Sequence, residues 1–391
     1  MTDALIVDAA RTPHGSFLGA LADVSAVELG ATAVRGLVER TEVDEDDVDW
    51  LALGNAVQAG VGQVPARQVG LAADLPDDLP ATTVNEASGS GLRAIALAVD
   101  RIVAGRADVA VAGGTESMSN APYLAPDTRR GKRLGDATLV DALIRDSLWD
   151  MQYDAHMGEL TEDLAERFEI SREAQDEYAL ASHERAVEAV EDGLFEDEVI
   201  PVEAVDGEAV ERDEGPRADT SVEALADLPT PFREDGTITP GNASDLSDGA
   251  GCALLADAEV AESEGLEPLA RVEDYAVAYR DPKWFGMSVG DAVERLLDDN
   301  DLSVADVDVF ELNEAFAAQM VYVRDRLEIP MEKHNPRGGA VALGHPIGAS
   351  GGILTATLAH AMADDDDELG VVGMSIGGGG GIAMLLRRGT E

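Results

Sequence analysis

Two hydropathy rhythms alternate along the first part of the chain. Compact apolar runs at 5–9, 48–53, 82–85 and 108–112 read as strands, and the stretches 26–39 and 64–73 carry apolar residues at helical spacing. The run that opens at Leu92 is helix-forming throughout and follows the strand at 82–85 after a turn of small residues. The strand at 108–112 is expected to end in Gly113-Gly114. Strands and helices that alternate, with glycine at the strand ends, point to an α/β fold. From about 117 to 243 the rhythm changes to a helical, strongly charged pattern with few strand signals. Near 250 the α/β rhythm resumes and runs to the end of the chain.

The resumed pattern repeats the first. Val48-Asp49-Trp50-Leu51-Ala52-Leu53 echoes Val307-Asp308-Val309-Phe310-Glu311-Leu312 at an offset of 259, and Ser90-Gly91 echoes Ser350-Gly351 at an offset of 260. A nearly constant offset predicts two similar α/β halves. In such folds, sites form where strand ends of the two halves meet.

Composition narrows the partners. The chain has 391 residues, 78 acidic against 28 basic, for a formal net charge of −50. Only Lys132, Lys283 and Lys333 are lysines. Nucleic acid and anionic membranes are poor partners for such a surface. The acids are spread along the whole chain and 45% of residues are hydrophobic, so a folded protein with an acidic surface is expected rather than disorder. That surface suits a salt-loaded cytoplasm, and a halophilic source is the expectation. The opening Met1-Thr2-Asp3-Ala4-Leu5-Ile6-Val7 has no basic region and reads as a first strand rather than a signal peptide. The single cysteine, Cys252, excludes an intrachain disulfide and suggests a buried small hydrophobe. The basic cluster Arg129, Arg130, Lys132 and Arg133 reads equally as a subunit contact, a counter-charge for phosphate or a solvated loop.

Five segments carry candidate chemistry. Ser88, in Ala87-Ser88-Gly89-Ser90-Gly91, sits at a helix N-terminus, where free N–H groups and the helix dipole favour negative charge. It is a candidate nucleophile or oxyanion site, and an N-cap otherwise. His345, between Gly344 and Pro346, is a candidate base or oxyanion donor. His156, before Met157-Gly158, is the second loop histidine suited to chemistry. The run Gly377 to Gly381 after a buried strand suits a close backbone approach to a ligand, with a linker or a phosphate loop as alternatives. Asn313, in Asn313-Glu314-Ala315-Phe316, could polarise a carbonyl or simply open a helix. No His or Cys cluster has metal-ligand spacing, so no metal is expected.

Together with Asp213 to Arg217 and Gly241 to Ser244, these segments resemble the thiolases (acetyl-CoA acetyltransferases and 3-ketoacyl-CoA thiolases) over almost the whole chain, in the family's order. The resemblance implies two βαβαβαββ halves stacked as five α-β-α-β-α layers. The first half would be 1–116 with 244–267 and the second 268–391. A loop domain, 117–243, would cover the site and hold coenzyme A. It implies Claisen condensation of acyl-CoA with acetyl-CoA, or the reverse thiolysis. Coenzyme A thioesters would be substrates, with no permanently bound cofactor. By position, Asn313 would hold a water for one oxyanion hole with His345, and the N–H groups of Ser88 and Gly377 would form the other. Arg217 would lie near the adenine nucleotide, while Leu148, Met157, Leu228, Phe232, Ser244, Ala315 and Phe316 would line the coenzyme A tunnel. A homo-oligomer, dimer or tetramer, is expected, with a second kind of subunit left open.

The departures from the family pattern matter most. Its nucleophilic cysteine is Ser88 here, and its second cysteine, a base, is Ser375. A hydroxyl ionises far less readily than a thiol, whose unperturbed pKa is about 8.5, and a helix dipole supplies only about 0.3–2 kcal/mol. Ser88 therefore needs a base in contact, and His345 is the candidate. Ser375 is a poor base for the same reason, which points to His156 for the second proton, unless it only packs against coenzyme A. A thioesterase and a non-catalytic coenzyme A-binding subunit are the competing expectations.

Overall fold

The computed structural model describes residues 3–41, 43–205 and 207–389. Met1 and Thr2, at the head of the first predicted strand, and Thr390 and Glu391, at the end of the second half, lie outside the described residues. The chain order in the first half is β1 (Ala4–Arg11), α1 (Ala26–Thr41), β2 (Trp50–Gly54), α2 (Pro65–Ala72), β3 (Ala81–Val84), α3 (Ser90–Val103), β4 (Val109–Ser117). Helices α4 (Met157–Arg167) and α5 (Arg172–Glu191) and short hairpins follow, and β5 (Ser247–Asp257) returns to the sheet. The second half runs β6 (Ala270–Tyr279), α6 (Ser288–Asp299), β7 (Val309–Leu312), α7 (Ala317–Leu327), α8 (Ser350–Asp364), β8 (Leu369–Ile376), β9 (Gly380–Arg388).

The first half is thus βαβαβαββ. The second repeats it, with one reduction: its third strand shrinks to a single bridge between Phe310 and His334. The strands join one 10-stranded sheet in the order β7-β8-β9-β6-β1-β5-β4-β2-β3, with Gly15–Ser16 pairing beside β5. The halves meet where Leu5 and Ile6 of β1 pair with Arg271 and Ala270 of β6. The core falls into three main apolar clusters. One joins α3 and α8 to the facing sides of both half-sheets. The second packs α1 and α2 on the outer side of the first half, and the third packs α6 and α7 on the outer side of the second. Those are the five layers, α-β-α-β-α.

Strand β4 does not end at Gly113-Gly114, as the pattern predicted, but continues to Ser117. The glycines serve close approach. A Cβ on Gly114 would stand 2.0 Å from the Gly348 carbonyl, and one on Gly352 would stand 1.9 Å from that of Gly251. Where α3 and α8 cross, a Cβ on Gly351 would meet the Leu92 nitrogen at 2.0 Å. This glycine seam lets the N-termini of α3 and α8, one from each half, converge on one place.

A buried ion cluster ties the 117–243 segment to the sheet. Arg11, at the end of β1, gives Nε to Glu198 at 2.5 Å and its two terminal nitrogens to Asp213 at 2.7 and 3.0 Å. Its guanidinium lies 4.8 Å from the centre of the Phe195 ring. Burial alone would raise Asp213, but Arg11 and His14 hold it well below the usual carboxylate range. Replacing Arg11 with Met leaves two carboxylates buried without their cation. Urea unfolding at pH 7 should show about 3–5 kcal/mol less stability. Because the folded pKa of Asp213 lies below its unfolded value of about 3.9, this contribution is complete above that pH and disappears only on strong acidification. In the variant, burial without its cation pushes Asp213 up, so the gap should narrow as the pH falls from 8, and a gap that widens on acidification there would contradict the assignment.

Candidate active site

Strand β3 delivers the chain into a tight turn before α3. Ala87 takes φ +53°, left-handed for a residue with a Cβ, a strained conformation of the kind that concentrates at functional sites. The turn is closed by Ser90: its hydroxyl accepts from the Glu86 N–H at 2.9 Å and donates to the Ala87 carbonyl at 2.5 Å. Ser88 is thereby held beside the first turn of α3. Its Oγ lies 2.9 Å from His345 Nε2.

His345 comes from the other half. The short helix Ala340–Leu343 ends at Gly344, whose φ of +111° turns the chain, and the His345 N–H binds the Asp245 carbonyl at 3.0 Å. Its Nδ1 lies 2.6 Å from Ser350 Oγ, the first residue of α8. Ser350 also reaches the Pro346 carbonyl at 3.1 Å. A carbonyl can only accept, so with the hydroxyl proton directed there Nδ1 keeps its own proton. Nε2 then presents a lone pair, towards which the Ser88 hydroxyl and, at 3.4 Å, the Asn313 amide nitrogen are directed. Burial, with His14 nearby, pushes the pKa of His345 down to about 3, so the ring is neutral at working pH.

Both groups open into a cavity of about 330 Å³. Leu148, His156, Met157, Phe232, Ser244, Ala315, Phe316, Ser375 and Gly377 line it with them. Asn313 is buried behind His345 rather than in the wall. Arg217 also stands outside it: its half-exposed side chain pairs at 3.2 Å with Asp245, a wall residue. Leu228 lies outside as well, packed against the Ala179, Leu225 and Val341 cluster. The exposed Arg129, Arg130, Lys132 and Arg133 follow the hairpin strand Tyr123–Leu124, away from the cavity.

Two expectations change on contact with the geometry. The Gly377 N–H is engaged, at a long 3.3 Å, by the Glu86 carbonyl, whereas the Ser88 N–H meets no protein acceptor among the described residues. The second expectation concerns His156, which is the N-cap of α4. Its Nδ1 accepts from the Gly158 N–H at 3.0 Å, and its ring stacks on Phe232 with centroids 4.7 Å apart. A backbone N–H always donates, so Nδ1 must stay unprotonated and Nε2 must carry the proton. Burial lowers the pKa of this ring too. His156 therefore offers the cavity a donor. It cannot take up a proton without losing its cap.

The sequence reading missed Glu116 and the role of Ser350. Glu116, fully buried at the end of β4, accepts from the N–H groups of Gly348 at 2.9 Å, Ala56 at 2.8 Å and Val57 at 3.2 Å, and from the Asn55 amide at 2.8 Å. It joins the His345 loop to the first half, and burial, opposed by these bonds, brings its pKa up to about 7. The available signal was a carboxylate two residues past the Gly113-Gly114 pair that closes an apolar run. Among the described residues no group of three or more His, Cys, Asp or Glu is placed to hold a metal. No helix there is long and apolar enough to cross a membrane.

Comparison with known proteins agrees with this arrangement over the full length. The family model described as thiolase, N-terminal domain, matches residues 4–259, and the one described as thiolase, C-terminal domain, matches residues 266–388. An acetyl-CoA acetyltransferase of Pseudomonas aeruginosa is 47% identical over 99% of this chain and 100% of its own. One from Escherichia coli is 44% identical with the same coverage. The crystal structure of the Bacillus anthracis acetyl-CoA acetyltransferase superposes with a TM-score of 0.97 at 40% identity, covering 99% of both chains.

Proposed function

Because the chain belongs to the thiolase family of acyltransferases, we propose that it condenses an acyl-CoA with acetyl-CoA, or cleaves the product with coenzyme A, through an acyl group carried on Ser88. The observation that carries this reading is the 2.9 Å contact between Ser88 Oγ and His345 Nε2, at the mouth of α3 and open to the cavity. In the first step Nε2 takes the Ser88 proton as Oγ bonds to the thioester carbon. The Ser88 N–H stabilises the oxyanion, joined by Gly377 if it releases Glu86. The C–S bond then breaks, and His345 returns the proton to the leaving thiolate.

Acylation removes the only proton Ser88 had and so frees Nε2. We assign the second proton to His345 as well, in place of His156. His345 takes an α-proton from the bound acetyl-CoA, the enolate carbon attacks the acyl carbon, the C–Oγ bond breaks, and the proton goes to Ser88 Oγ. His156 Nε2–H and the Ser375 hydroxyl serve as donors to the thioester or enolate oxygen. Asn313 acts through its amide, beside His345 Nε2. Residues 117–243 form the covering domain, a reading supported by Leu148, His156, Met157 and Phe232 in the cavity wall. Arg217 is the candidate contact for the nucleotide end of coenzyme A, since among the described residues its one partner for charge is the wall residue Asp245. Self-association is supported by Tyr123, Leu134 and Leu139, which stand exposed.

Incubation with acetyl-CoA should add one acetyl group to the peptide bearing Ser88, read by mass spectrometry. Absence of acylation at Ser88 in an active preparation would refute the reading. Hydrolysis alone, with no condensation, would move the protein to a thioesterase. The second-base assignment has its own test. His156→Ala should weaken acyl-CoA binding but still exchange α-protons for deuterium at saturating acyl-CoA. Loss of exchange with acylation intact would return that role to His156.

A further inference from the structure

Behind His345, on the side away from the large cavity, strand β7 faces helix α8 across an unusual contact. Glu311 and Asn313 are two apart and share one face of the strand. Ser350, Ile353, Leu354 and Thr357 form a single helical stripe opposite them. Between lies a cavity of about 10 Å³, the room of a single water, which His14 also lines. Both carboxyl oxygens of Glu311 and the Asn313 side-chain oxygen are buried and meet no donor among the described residues. The fold does not demand this polarity. In the first half the register twin of Glu311 is Ala52, fully buried in the apolar core.

We propose that Glu311 is a positioning residue for His345: it holds one water in this cavity and, through Ser350 and Asn313, keeps Nδ1 protonated and Nε2 open to the Ser88 proton. The chain of contacts is short. Ser350 Oγ touches His345 Nδ1 and lines the small cavity with Glu311. A water that donates to Ser350 Oγ, together with Nδ1–H, fills both lone pairs of that oxygen and leaves its own proton directed at the Pro346 carbonyl. Without the water, Ser350 is free to turn its proton onto Nδ1. That would move the histidine proton to Nε2 and block the base. The same water donates to Asn313 Oδ1, which aims the amide NH₂ at Nε2. To hold a water whose protons go to these two acceptors, Glu311 must itself donate, as a carboxylic acid. Burial, reinforced by Glu314 and Glu198 against the charges of Arg337 and Arg185, raises its pKa well above the usual range.

This inference rests on the Ser88–His345 reading, and the tests keep the two apart. Glu311→Gln preserves shape and a donor, so Ser88 acylation by acetyl-CoA should stay within about 3-fold of the parent. Glu311→Leu removes the donor, and acylation should slow by about 100-fold with KM for acetyl-CoA unchanged, the scale of a lost general base. ¹⁵N shifts of the His345 ring should report an Nδ1–H tautomer in the parent and the Gln variant, and an Nε2–H population in the Leu variant. Parental acylation and tautomer in Glu311→Leu would overturn the proposal, as would equal losses in both variants. If Glu311→Leu fails to fold, infrared difference spectra of the parent against Glu311→Gln decide instead. A protonated carboxyl band present only in the parent supports the proposal, and its absence overturns it. A parent that never acylates Ser88 would sink the nucleophile reading, while its His345 tautomer would still test Glu311.

Discussion

Ser88→Ala should reduce condensation by about 10⁴-fold or more and abolish the acyl-enzyme, because the nucleophile and one end of a cooperative pair vanish together. Ser88→Cys should restore turnover, since a thiol at the same turn meets the same Nε2 lone pair. It should also make the enzyme sensitive to iodoacetamide. The parent should resist that reagent, as Cys252 is its only thiol, buried in β5 with its pKa pushed up to about 12. The pH profile of kcat/KM should show the His345 environment directly. The base is needed neutral and burial holds its pKa near 3, so the acid limb should lie far below the ordinary histidine value of about 6.5. Wild-type rates in Ser88→Ala, or an acid limb near 6.5, would contradict this account.

The second large effect concerns salt. Seventy-eight acidic residues oppose 28 basic ones on a chain of net charge −50. At low ionic strength these carboxylates repel over many ångströms. The screening length falls from about 10 Å at 0.1 M to about 3 Å at 1 M. The thermal midpoint should therefore rise on the order of 10 °C between 0.1 and 2 M KCl, and activity should follow it. The cause is the mutual repulsion of the carboxylates, which salt screens. A midpoint that stays flat or falls through the titration would remove that explanation.

Much of the architecture was legible because duplication repeats a hydropathy pattern at nearly constant offset, and period alone separates strand from helix. What escaped was whatever depends on a single contact. The third strand of the second half is one bridge at His334, too short for any period to register. Gly113-Gly114 looked like punctuation because a glycine in sequence does not disclose whether it turns the chain or admits a neighbour. At the site, the glycine and proline around His345 marked it, and the hydroxyl at position 88 demanded a base. The different role proposed for His156 has a definite cause. Whether a loop histidine is a base or a donor depends on which nitrogen caps the next helix, and composition carries no trace of that. Glu311 was passed over because a carboxylate within an apolar run reads as the solvent side of a strand, and Glu116 because its strand was expected to end at Gly113-Gly114. Leu228 was carried over by position alone, and its side chain turns to a neighbouring cluster instead.

The glycine seam has an evolutionary consequence. Gly114, Gly251, Gly351 and Gly352 each stand where a single added carbon would strike backbone from the other half, so no one-step replacement is tolerated and the crossing of α3 and α8 cannot drift. Ser88, just before α3, and Ser375, near the end of β8, line the cavity instead, where an oxygen and a sulfur differ little in volume. Mutation is thereby sorted by location. A lineage can exchange one chalcogen for the other at either position without disturbing the backbone, whereas relocating the site would need several coordinated changes at once. The scaffold is frozen while its reagent is interchangeable, and selection for a new chemistry acts on atoms that bear no structural load.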